Sequence, residues 1–236
     1  MPADIVAAVR EELLRNADGE TSDGARRCFR EEIACYGVKT PVVREIAGRY
    51  FRVAKPEGKA VVFTLCEELF RSGFMEEAFV ASDWAYRIRG SYEPGDFAVF
   101  EAWISRYVDN WAKCDTLCNH TVGSFIERFP EHLSGLKRWT GSENRWMRRA
   151  SAVTLVLPAR KGLFLDDVLD IAGLLLHDPD DLVQKGYGWL LKEASKSHPD
   201  EIFRFVMERR RDMPRTALRY AIEKMPAGWK RQAMER

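Results

Sequence analysis

Three segments of the 236-residue chain join an indole to groups that handle cations or phosphates. In Asn110-Trp111-Ala112-Lys113-Cys114-Asp115, Trp111 and Asp115 stand four residues apart, so on a helix they share one face. An indole face attracts a cation through its quadrupole, and a carboxylate does so through its charge. Trp146-Met147-Arg148-Arg149 adds guanidinium groups, whose planar fork matches a phosphate. Gly186-Tyr187-Gly188-Trp189-Leu190-Leu191-Lys192-Glu193 supplies a further indole. Aromatic faces, one acid and one arginine on a common surface make a site for a cationic group carried on a phosphate backbone.

Other chemistries have weaker support. The five cysteines, Cys28, Cys35, Cys66, Cys114 and Cys118, are dispersed and include no CxxC pair, a pattern of reduced thiols. Cys114, Cys118 and His120 lie close together, but a tetrahedral zinc site needs a fourth ligand and no second cluster offers one. Cys114 and Cys118 are expected to pack against a neighbouring helix. His120, His132, His177 and His198 show neither triad nor metal spacing. Neither a metal nor a cofactor is expected.

The elements that must position these residues read as helices. Glu11–Arg15 ends near Asn16 and Gly19. Thr40 is expected to cap a helix running to Arg52, with Pro41 in its first turn. Further helices are predicted after Pro56, over Met75–Ile88, over Phe97–Val108, and from Trp111 unbroken to Phe129. In the second half they run from Ser142 to Leu157 with Pro158 as the stop, then over Leu163–Leu176, Leu182–Ser195, Pro199–Arg211 and Arg215–Glu223. Gly186 and Gly188 lower the propensity of their helix. No stretch alternates as a strand would. About a dozen helices joined by short connectors suggest stacked pairs, and the spacing Trp111, Trp146, Trp189 fits a repeat of roughly 35–45 residues. The expectation is an all-α fold, one domain over residues 1–236, built as a right-handed stack of HEAT-like repeats curved into a solenoid with a concave face.

Hydrophobic content of 46% argues against disorder. No apolar run approaches the roughly 18 residues of a membrane span, and the N-terminus lacks a leader pattern, so a cytoplasmic protein without membrane contact is expected. Net charge is +1, but its distribution is uneven. Residues 1–136 hold 17 Lys and Arg against 22 Asp and Glu, whereas residues 137–236 hold 20 against 14. The later part can therefore carry a positive field for a polyanion.

The chain resembles the bacterial AlkD-like DNA alkylation-repair glycosylases, which are built from HEAT-like repeats. Tyr36-Gly37-Val38-Lys39-Thr40-Pro41 resembles that family's Gly-Val-x-Thr-Pro segment. Asn110-Trp111-x-x-x-Asp115, Trp146-x-x-Arg149-Ala150 and Gln184-Lys185-x-x-Gly188-Trp189-x-Leu191-x-Glu193 follow in order. The resemblance places Trp111, Asp115, Arg149 and Trp189 at the catalytic positions. Arg149 is preferred to Arg148 because it directly precedes the small Ala150. Arg148, Arg149, Lys185, Lys113 and Lys39 are the expected contacts to DNA. Lys39 replaces an uncharged polar residue, and Asn110 stands where a second tryptophan can occur; both bear on lesion preference.

What the resemblance implies is hydrolysis of the N-glycosidic bond of N3- or N7-alkylated purines in duplex DNA, by a monomer. Alkylation makes such a base cationic, and its departure moves positive charge onto an oxocarbenium-like sugar, which a fixed carboxylate stabilises. Asp115 would stabilise that cation and position water. Trp111 and Trp189 would pack on the damaged nucleotide, and Arg149 would hold a phosphate. No lysine nucleophile is required, so a monofunctional glycosylase is expected. Without the resemblance, the same four residues read as packing indoles, a solvated acid and an ion-pair partner. Trp84, Trp103, Trp139, Trp146 and Trp229 read as packing or interface residues. Two other functions fit a HEAT-like array: noncatalytic binding of distorted or branched DNA, and protein scaffolding.

Overall fold

The computed structural model describes residues 2–235. Its packing divides the chain into two compact units, Met1–Leu117 and Cys118–Arg236, with no compositional linker between them. The first unit contains α1 (Pro2–Arg15), α2 (Gly19–Arg26), α3 (Thr40–Ala54), α4 (Lys59–Arg71), α5 (Met75–Arg87), α6 (Asp96–Tyr107) and α7 (Trp111–Thr116). A π-helical turn covers Leu117–Val122. The second unit contains α8 (Gly123–Arg128), α9 (Leu133–Trp139), α10 (Arg145–Val153), α11 (Val156–Arg160), α12 (Leu165–Leu174), α13 (Asp181–Ala194), α14 (Pro199–Arg209), α15 (Arg215–Ala221) and α16 (Ala227–Met234). No strand forms among the described residues, where a single parallel bridge joins Ala34 to Phe74. The all-α expectation therefore holds.

Several boundaries differ from those read in the sequence, each for a physical reason. The helix expected to run unbroken from Trp111 to Phe129 is continuous as α7, the π turn and α8, and ends one residue earlier at Arg128. Pro158 does not stop its helix; the break comes at Thr154-Leu155, and Pro158 sits in the first turn of α11, where a missing N–H costs nothing. Lys39 rather than Thr40 is the N-cap of α3, and it makes no side-chain capping bond. Helices α2, α9 and α16 lie outside the sequence prediction. In α2 two glycines and no apolar period hide a helix that Asp18 caps through a 2.8 Å bond from the Thr21 N–H.

Each unit has its own core. In the first, α5 packs on α3, α4 and α7, and Trp84 is fully buried with its Nε1–H bonded to the Ala47 carbonyl at 2.8 Å. Phe63, Phe70, Tyr92, Phe100 and Trp103 form an aromatic cluster between α4 and α6. In the second, α13 is central and touches α10, α11, α12, α14 and α15. Trp139 and Trp146 are buried there, and Trp229 stacks on Phe203 at 4.2 Å. These indoles pack as expected.

Candidate functional site

In the first unit, Trp111 and Asp115 occupy successive turns of one face of α7, and both are partly exposed. α7 runs directly into the π turn, so the orientation of its first turns is set by what packs around them. Buried Asn110 caps it, its Oδ1 accepting the Lys113 N–H at 3.0 Å. The Asn110 Nδ2 donates to Asp109 at 2.8 Å. Ala112 enters a small core with Ile33, Cys35 and Met75, against which Phe29 and Trp111 pack. The Phe29 and Trp111 rings are stacked, 5.1 Å apart and inclined by 16°. Cys114 and Cys118 are completely buried.

Lys113 corrects an expectation. Its side chain is 2% exposed, and its Nζ donates to the Gly73 carbonyl at 2.6 Å and to Asp109 at 2.8 Å. An ammonium enclosed and committed in this way is an internal anchor, where an exposed lysine was expected. Lys39 is exposed beside Thr40, as a phosphate contact requires.

The Tyr36–Pro41 segment is held by two residues that carried no signal in the sequence, Glu76 and Glu77. The buried Glu76 carboxylate accepts the Tyr36, Gly37 and Val38 N–H groups at 3.1, 2.8 and 3.1 Å. Glu77, also buried, accepts the Tyr36 hydroxyl at 2.6 Å and the Arg10 Nε–H at 3.0 Å. Burial and then the bond to Glu77 push the Tyr36 hydroxyl well above its ordinary range, so it stays a donor. Gly37 is required twice over: its φ is +82°, and a Cβ there would lie 2.2 Å from the Asp18 carbonyl oxygen. In the sequence, Glu76-Glu77 resembles the ordinary acidic start of a helix, which concealed the role.

In the second unit, α10 and α13 carry the remaining candidates. Arg148 is braced by Asp178, with Nε to Oδ2 at 2.6 Å and Nη2 to Oδ1 at 3.4 Å. Its Nη1 donates to the Ser142 and Glu143 carbonyls at 2.9 and 3.0 Å. With its fork so occupied, Arg148 braces the entry to α13, where a group open to phosphate was expected. Asp178 also receives the Asp180 N–H at 2.9 Å, and Asp180 caps α13 through a 2.8 Å bond from the Leu182 N–H. The two arginines Arg145 and Arg148 thus hold the entry to α13.

Arg149 lies along α13, 6% exposed, with Nη1 bonded to the Leu182 carbonyl. A Cβ built on Gly186 would be 3.4 Å from the Arg149 Cγ. Gly186 thus leaves room for the arginine, and Gly188 serves α15: a Cβ there would stand 2.7 Å from the Tyr220 Cβ and 2.8 Å from the Ala217 carbonyl oxygen. The two glycines that weaken the helix in isolation let two neighbours approach it closely. Trp189 is partly exposed, one residue beyond Gly188. Lys185, also partly exposed, pairs with Asp181 at 3.2 Å. Glu193, 4% exposed, accepts from Arg160 at 2.7 Å and Lys196 at 2.6 Å. Burial pushes its carboxyl up, but the two cations outweigh that and hold it below the usual range.

The sequence profile of the family described as DNA alkylation repair enzyme matches residues 9–225. The chain belongs to that family. Membership makes it a DNA-repair enzyme directed at alkylation damage, with DNA as its partner. A solved structure described as a predicted DNA alkylation repair enzyme from Enterococcus faecalis is similar in fold, with a TM-score of 0.80. That likeness covers 90% of this chain and 98% of the other at 17% identity, so the two share the all-helical repeat fold. No curated protein sequence matches the chain. Among the described residues, no helix of this family member is long and apolar enough to cross a membrane.

Proposed function

We propose that this protein is a monofunctional DNA glycosylase that hydrolyses the N-glycosidic bond of cationic N3- or N7-methylpurines in duplex DNA. Carrying the reading is one observation: in a chain of the DNA alkylation repair family, Trp111 and Asp115 share a face of α7, both reachable by solvent. The substrate already bears a positive charge, so its base leaves without a strong acid. Asp115 stabilises the charge that develops on the sugar and orients the attacking water. Trp111 offers its indole face to the damaged nucleotide, and Trp189 offers another to DNA. Lys39 and Lys185 contact phosphates and contribute sequence-independent, salt-sensitive affinity. Burial limits what Arg149 can offer a phosphate, and its main part is to seat α13 and hence Trp189.

Incubating the protein with methylated duplex DNA and identifying released bases by mass tests this reading. Release of 7-methylguanine or 3-methyladenine is expected from the wild type, with a fall of about a hundredfold or more in Asp115→Asn if the carboxylate is the main electrostatic term. Unchanged release in both Asp115→Asn and Trp111→Ala would remove the proposed site. Tight, salt-sensitive DNA binding with no release would instead identify a noncatalytic binder.

A further inference from the structure

Lys113 stands between Trp111 and Asp115 in sequence and projects from the other side of α7. Burying an ammonium costs more than burying an apolar chain of the same length, so its presence points to geometry as the gain. Its target is the turn that joins α4 to α5. Gly73 sits there at φ +78° and offers its carbonyl to the lysine. The next residue, Phe74, stacks on Tyr36 at 4.3 Å, and the Met75 N–H bonds the Ala34 carbonyl at 2.9 Å. Glu76 then gathers the three N–H groups of Tyr36–Val38. One turn therefore fastens two motifs more than seventy residues apart, the Gly37-Val38 segment and the Trp111–Asp115 helix.

We propose that Lys113 is a positioning residue: its buried ammonium fixes the rotation of α7 against the 73–76 turn, and so fixes where Trp111 and Asp115 project. The proposal rests on the repair reading of those two residues. Rotation is the sensitive coordinate, because a π turn at Leu117–Val122 interrupts the regular α-helical register directly after α7. A misplaced carboxylate loses reactivity well before the duplex loses its binding surface.

The test compares Lys113→Met, of similar length but without charge, with Lys113→Arg and with Asp109→Asn. The Asp109 side chain is 58% exposed, so its substitution weakens the clamp without opening a core. Two quantities are read in the full chain. One is the Trp111 indole N–H resonance, assigned by its loss in Trp111→Phe. The other is single-turnover base release at saturating methylated duplex, with the duplex Kd measured separately. In Lys113→Met the Trp111 resonance shifts or broadens while that of Trp189 stays, and release slows by about ten- to a hundredfold with Kd changed by no more than about twofold. Asp109→Asn moves both readings the same way by less, and Lys113→Arg recovers part of each. An unmoved Trp111 resonance in Lys113→Met overturns the proposal, as does a moved resonance with unchanged release. Wild-type protein that releases no base would end the repair reading alone, and the resonance would still decide whether the clamp sets α7.

Discussion

Trp111 and Asp115 ride on α7, the short start of a helical segment that loosens into a π turn, whereas Trp189 rides on one regular helix of fourteen residues packed among α10, α11, α12, α14 and α15. The short helix is placed by polar devices: the Asn110 cap, the Lys113 anchor and, behind them, the Glu76 carboxylate. The long helix is placed by the close backbone approach of α15, made possible by the missing side chain at Gly188, and by the Arg149 stem lying against Gly186. Both solutions present an indole. They differ in what disturbs them: the first is vulnerable to loss of a hydrogen-bonding group, the second to added volume.

The sharpest way to break the contrast is to fill the glycines. Gly188→Ala drives a methyl into the backbone of α15 and should destabilise the protein by about 1–3 kcal/mol in denaturant melts. Gly186→Ala meets a flexible arginine stem at 3.4 Å and gains helix propensity, so its stability should stay within about 1 kcal/mol of wild type. Equal gains in the two variants would show that propensity, not close approach, governs α13. Next in size is the cap. Asn110→Ala should cost about 1 kcal/mol. Because the cap adjoins Trp111, base release should fall more in Asn110→Ala than in Asp180→Ala, which removes the equivalent cap of α13 at similar cost in stability.

The smallest expected effect is acid sensitivity of the second unit. Glu193 has a folded carboxyl held below its unfolded value, so the stability it contributes is present above the unfolded value. That contribution is lost as pH falls through the folded one. Glu193→Gln should therefore flatten the decline in Tm between neutral and acid pH and lower Tm at pH 7. A parallel decline in both proteins would remove Glu193 from the account.

These contrasts also mark what the sequence could reveal. Apolar periodicity and stop residues located α3, α5, α6, α12, α13 and α14 because each buries one regular stripe. The same reasoning missed α2, which lacks that stripe, and passed over the π turn at Leu117–Val122, since local pattern does not report which carbonyl an amide will choose. The shared face of Trp111 and Asp115 was legible from their four-residue spacing. The burial of Lys113 and the bracing of Arg148 were not, for a common reason. A basic residue beside an aromatic looks like a surface contact until its acceptors, Gly73 and Asp178, arrive from forty and thirty residues away. Glu76 was invisible in the same sense, since its three donors lie in a loop that precedes it by nearly forty positions.

The α4–α5 connection spans only Ser72 to Phe74, and Gly73 must offer its carbonyl in one direction while Phe74 faces another. Lengthening it by a single residue would spoil both alignments together. Across relatives, the number of residues in this connection should be inherited more strictly than their identity. An inserted residue there is expected to slow base release as much as a substitution at Asp115, the carboxylate proposed to act.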